Sequence, residues 1–129
     1  MAARAWARWA LAATAALLAA GVVVQVFYAG LASFVGPGWW LRHRSFVHAF
    51  EWASPLAVAL AYAARASRAA KSLAWGTVAL LLAQYVTAGL RERGGQQSIA
   101  AVHAVTAMVL FWTAVELARL TWREARLPV

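Results

Sequence analysis

WALAATAALLAAGVVVQVFYAGLASFVGPGWWL, residues 9–41, holds no charged side chain. A helix needs about 20 apolar residues to cross the hydrocarbon core of a bilayer, and this run exceeds that. Three more runs follow. Phe46 to Ala64 contains one charge, Glu51; Ser72 to Leu90 contains none; Ser98 to Ala118 contains one, Glu116. The sequence therefore predicts an all-α, integral membrane four-helix bundle with up-down-up-down passes over about 9–35, 45–65, 72–91 and 98–119, forming a single transmembrane domain over 1–129. Composition agrees, with 64% hydrophobic and only 12% charged residues, against about 45–50% and about 25% in soluble domains.

Arg4 and Arg8 before an Ala/Leu stretch resemble the start of a signal peptide, but the uncharged run continues well past the length of a signal core, so a retained first helix is expected. The net charge of +8 lies in the links and ends, where it sets orientation and does not point to nucleic acid. Eight basic residues (Arg4, Arg8, Arg65, Arg68, Lys71, Arg119, Arg123 and Arg126) fall on one side and four (Arg42, Arg44, Arg91 and Arg93) on the other. The expected placement is the cytoplasmic membrane of a bacterium or archaeon with both termini inside. Trp6, Trp9, Trp39, Trp40, Trp75 and Trp122 fall near span ends, as interfacial anchors do. The absence of cysteine excludes thiol–disulfide exchange and soft-metal carriage by thiolates.

Two stretches share the pattern Q-x-x-x-A-G-L: Gln25 to Leu31 and Gln84 to Leu90. Each is followed by a polar link, a histidine near the start of the next helix (His48, His103) and an apolar run ending in arginine (Arg65, Arg119). This predicts two parallel two-helix repeats related by an axis along the membrane normal. His48 and His103 then share a depth in the outer half, with Gln25 and Gln84 near them. Two imidazoles facing each other in an apolar bundle suit the axial positions of a haem b iron. Ala49, Ala53, Ala104 and Ala107 leave room for a flat ring, and Arg42, Arg44, Arg91 and Arg93 suit its propionates. Simpler roles stand beside these: histidines and glutamines that only bridge helices by hydrogen bonds, and arginines that contact lipid headgroups. His43 reads as a solvated link residue, able to replace His48 if its helix begins early.

Glu51, three residues after His48, is an intramembrane carboxylate and the candidate catalytic residue. It could orient His48, carry a proton or bind substrate, or serve as a protonated hydrogen-bonding group. A di-iron carboxylate site needs more glutamates than Glu51 and Glu116 provide, and Glu116 is expected to reach Arg119 or the interface. Pro55 should kink the second helix.

These motifs resemble one half of a haem A synthase, most closely over Gln84 to Ala118. That family builds four-helix bundles with a histidine pair on the second and fourth helices, and half-length relatives exist. The chain is also similar to a broader group of four-helix bacterial membrane proteins with the same two histidines. The resemblance implies His48 and His103 as haem ligands. The family's glutamate ahead of its first histidine has no counterpart before Glu51, and the loop cysteines are missing. The expected function is a membrane b-type cytochrome in electron transfer or haem handling. Beside it stand a half-size haem A synthase-like oxidoreductase and a cofactor-free subunit or scaffold of a larger complex. Expected partners are the bilayer, a redox partner or quinone, and a second copy or larger assembly.

Overall fold

The computed structural model describes the backbone of residues 2–94 and 97–128, and side chains over 4–90, 98–99 and 101–128. Among the described residues the secondary structure is entirely helical: α1 (Ala2–Phe34), α2 (Trp39–Phe50), α3 (Ala53–Ala63), α4 (Arg68–Gly94) and α5 (Gln97–Ala125). Three helices, Arg4–Phe34, Arg68–Leu90 and Ala101–Ala125, are long and apolar enough to cross a membrane. At about 1.5 Å per residue, the 33 residues of α1 also extend beyond an apolar layer of about 30 Å.

The single helix expected over 45–65 is two shorter helices, α2 and α3, and the first of them starts earlier, at Trp39. Pro55 is the physical reason: it has no N–H to offer the Glu51 carbonyl one turn back, and its ring crowds that carbonyl. The Glu51 carbonyl accepts from Ser54 N–H at 3.2 Å instead. Glu51 and Trp52 keep right-handed helical angles, so the division is a local tightening between two successive helices.

α1 packs against α2, α3 and α5, and α4 packs against α3 and α5. The core is uneven along the bundle. One cluster gathers Ala7, Leu11, Ala15, Ala57, Leu60, Ala61, Ala64, Ala70, Ala74 and Leu117 near the termini. A smaller one, Val22, Leu81 and Leu110, sits near the middle with Val47 and Phe50 against it. Beyond it, at the far end, buried side chains thin out among the described residues. α1 has only Ala32 after Val22, α2 has none, α4 has none after Leu81, and α5 has none before Leu110.

The termini end is closed by specific contacts. Arg8 donates to the carbonyls of Glu124 (3.4 Å) and Leu127 (3.2 Å), satisfying acceptors left by the last turn of α5. Trp9 meets Trp122 edge to face at 5.2 Å. Ser67 caps α4, its hydroxyl accepting from Ala70 N–H at 3.2 Å, while its own N–H donates to Glu124 Oε2 at 3.3 Å. The end of α3 is a Schellman motif: Ala66 N–H reaches the Ala61 carbonyl (2.9 Å) and Arg65 N–H the Tyr62 carbonyl (3.0 Å). Arg65 takes the left-handed position, at φ 50°, which glycine occupies at least cost. Mid-bundle, Ser54 donates to Thr77 at 2.8 Å and Thr77 donates to the Ala74 carbonyl at 2.7 Å, both side chains being fully buried.

One close approach holds the end of α2 against α1. The Phe50 ring lies over Gly21 near the middle of α1, so a Cβ there would come within 2.5 Å of Phe50 Cγ. Gly76 is roomier, its added Cβ meeting Thr113 at 3.5 Å. Gly21→Ala should therefore cost about 1–3 kcal/mol by overpacking, lowering the thermal midpoint in detergent, while Gly76→Ala leaves it unchanged or raises it. Arg65→Gly should raise the midpoint, by relieving strain of about 1 kcal/mol.

Candidate functional site

At the far end α1 and α2 meet through Gln25 and His43. Gln25 Nε2 donates to the His43 backbone carbonyl at 2.7 Å, and His43 Nδ1 donates to the Gln25 backbone carbonyl at 3.0 Å. The second direction follows because a carbonyl oxygen only accepts. Gln84 of α4 makes the same bond to α5: its Nε2 donates to the His103 carbonyl at 3.3 Å and to Thr106 Oγ1 at 2.6 Å. His103 Nδ1 meets Thr87 Oγ1 at 2.9 Å. That hydroxyl lies 2.8 Å from the Ala83 carbonyl and 3.1 Å from the Gln84 carbonyl, to which it donates. The direction of its bond with His103 Nδ1 follows the tautomer of that ring. In both places Nδ1 is hydrogen-bonded, directly to the Gln25 carbonyl in one and to the Thr87 hydroxyl in the other. A neutral imidazole with its proton on Nδ1 carries its lone pair on Nε2.

His43 on α2 thus receives the same kind of glutamine contact that His103 receives on α5. The residue order from glutamine to histidine differs by one: Gln25 to His43 and Gln84 to His103. The environments also differ. Where Thr87 and Thr106 bracket His103, Tyr28 and Phe46 pack at 5.5 Å beside His43, with Trp39 stacked on Tyr28 at 6.1 Å and Trp40 edge-on to His43 at 5.4 Å. Gln25 Oε1 is buried with no hydrogen-bond partner, an arrangement that costs about 1–3 kcal/mol unless a donor reaches it.

His48 lies lower on α2 and turns outward, its side chain 65% exposed against 22% for Glu51. His48 Nδ1 donates to Glu51 Oε1 at 3.1 Å, and the Tyr85 hydroxyl donates to Glu51 Oε2. Glu51, just past the end of α2 at the kink, is thereby tied to α4. The histidine–glutamate spacing was readable in the sequence. Tyr85, Thr87 and Thr106 were not singled out, although Tyr85 and Thr87 stand inside the second Q-x-x-x-A-G-L motif.

The other expected residues spread out. Arg42 and Arg44 are exposed on α2, and Arg42 borders a shallow cleft with Gly36, Pro37, Gly38 and Trp39. The side chains of Arg91 and Arg93 lie outside the described residues. Ala49 and Ala104 are exposed, Ala53 and Ala107 half-buried. Glu116 meets Arg119 at 3.3 Å. Among the described residues no three His, Cys, Asp or Glu side chains gather as a metal-binding group.

A family model described as a family of unknown function, DUF6220, matches residues 25–90, just over half of the chain. The chain belongs to this family. The DUF6220 match opens on Gln25 and closes on Leu90, the first residue of one Q-x-x-x-A-G-L and the last of the other. It includes His43, His48, Glu51, Gln84, Tyr85 and Thr87, and leaves His103 outside. No curated protein and no solved structure matches the chain.

The Gln84–Thr106 bond is testable by a double-mutant cycle in detergent. Gln84→Leu and Thr106→Val should couple by about 0.6 kcal/mol, with about 1.7 kcal/mol as the upper end for such bonds in membranes. Gln84→Leu and the distant Ser54→Ala should simply add.

Proposed function

We propose that the protein is a membrane-embedded b-type cytochrome whose far end holds a haem between His43 and His103. The observation that carries this reading is the recurrent contact in which a glutamine amide donates to a histidine carbonyl while that histidine's Nδ1 is itself hydrogen-bonded. Metal-ligating histidines are held in this way, since a hydrogen bond from the second ring nitrogen fixes tautomer and ring orientation. Haem asks the protein for two axial nitrogens only, and one is offered by each of two helices that pack against α1. The sparse burial of the far end leaves the ring less tightly enclosed by side chains than the middle of the bundle would. Both glutamines and both histidines belong, in this proposal, to a two-helix unit used twice, with the passes running up and down and an axis along the membrane normal.

The residues divide the work. Gln25 and Thr87 hold the imidazoles, and His43 and His103 present Nε2. Arg42 and Arg44, with Arg91 and Arg93 on the α4 side, balance propionate charge. A bound haem would supply one-electron exchange at the outer half of the membrane. The excess of basic residues at the termini end supports a cytoplasmic position for that end. His48, the partner expected from the motif spacing, has its ring committed to Glu51 instead.

Detergent-purified protein should show a Soret band. His43→Ala and His103→Ala should each abolish it or convert it to a weakly held form, while His48→Ala keeps it. Colourless protein that takes up no added haem would leave the cofactor-free scaffold reading. Orientation has its own test, made simple by a chain without cysteine. Arg42→Cys should react with an impermeant maleimide in intact cells, and Lys71→Cys only after lysis.

A further inference from the structure

The cluster of His48, Glu51 and Tyr85 has no part in the haem proposal, yet its placement is specific. Phe50, next to Glu51, rests on Gly21 near the middle of α1, and Tyr85 directly follows Gln84, so the cluster lies just inside the far-end contacts. It opens sideways. His48 and Tyr85 are exposed, and so are the neighbouring Trp52, Leu82 and Val86. On α4 that surface falls within the apolar stretch Arg68–Leu90, so in a bilayer it faces acyl chains. A carboxylate, an imidazole and a phenol there are costly, and such groups mark function in membrane proteins.

The hydrogen bonds inside the cluster decide what it can bind. Both Glu51 oxygens accept, one from His48 Nδ1 and one from the Tyr85 hydroxyl. In its neutral form the His48 ring, with Nδ1–H given to Glu51, carries a lone pair on Nε2, and the Tyr85 oxygen keeps its own lone pairs after giving its proton away. Both outward-facing atoms therefore accept. A matching ligand must dissolve in the acyl region, carry an aromatic or other compact polar head, and donate hydrogen bonds from hydroxyl groups. The geometry points to a binding site for the head group of a lipid-soluble hydroquinone, gripped by His48 Nε2 and Tyr85 Oη and preferred over its oxidised quinone, which has no proton to donate.

The site stands independently of the haem, so binding alone tests it. The full chain in lipid nanodiscs would be titrated anaerobically with a decyl-substituted benzohydroquinone, its quinone and decanol, with empty nanodiscs as the partition control. The wild type should bind the hydroquinone saturably and the quinone roughly tenfold more weakly, the loss of one to two net hydrogen bonds. His48→Ala and Tyr85→Phe should each weaken hydroquinone binding by a similar factor. Met108→Ala, which alters an exposed apolar residue on α5, should leave it unchanged, and unaltered thermal midpoints would show that the variants fold. Uptake no greater than in empty nanodiscs, equal affinity for quinone and hydroquinone, or full competition by decanol would each overturn the proposal. The Soret band of the same samples reports on the haem reading separately.

Discussion

The side-chain amide of a glutamine reaching across to the backbone carbonyl of a histidine on the next helix is the contact on which the far end of this protein depends. It occurs between Gln25 and His43 and again between Gln84 and His103. In hydrocarbon an amide cannot trade its partner for water, so such a bond registers two helices against each other along their length. Register then fixes the depth of each imidazole, and the hydrogen bond at Nδ1 orients its ring. The haem proposal follows from that ordering.

The closed and sparse ends of the bundle divide its labour. Near the termini, alanines and leucines pack to near-zero exposure, Ser54 and Thr77 clasp each other, and Arg8 and Ser67 satisfy the helix ends. Toward the far end, polar side chains replace buried apolar ones as the means by which helices are held. Pro55 marks the change between α2 and α3. By taking an N–H from the ladder it frees the local backbone to tighten, and Glu51 emerges there with His48 on one side and Tyr85 on the other.

Much of this was legible in the sequence because a bilayer enforces simple patterns. Uncharged length gave the apolar helices, Pro55 the kink, and the recurrent Q-x-x-x-A-G-L the two glutamines that cross to the next helix. The start of α2 was not legible. Arg42, His43 and Arg44 read as a polar link, yet they lie within α2, since charged side chains on the helix surface near a membrane face cost little. With the link read there, His43 stood only as an alternative to His48. Tyr85 and Thr87 were hidden for another reason: in an apolar helix a hydroxyl is informative only when the residue across from it is known.

The membership of DUF6220 spans the first glutamine to the end of the second motif, which places His43, the kink and Tyr85 together in the matched segment. The central claim is that two imidazoles, one on α2 and one on α5, share one iron. Pulsed electron paramagnetic resonance of the ferric protein carrying nitrogen-15 histidine tests it most directly. Couplings from two coordinated imidazoles, reduced to one when either His43 or His103 is replaced, are the outcome this account requires. A single coordinated imidazole in the unaltered protein, or a second coupling that disappears only with His48, would contradict it.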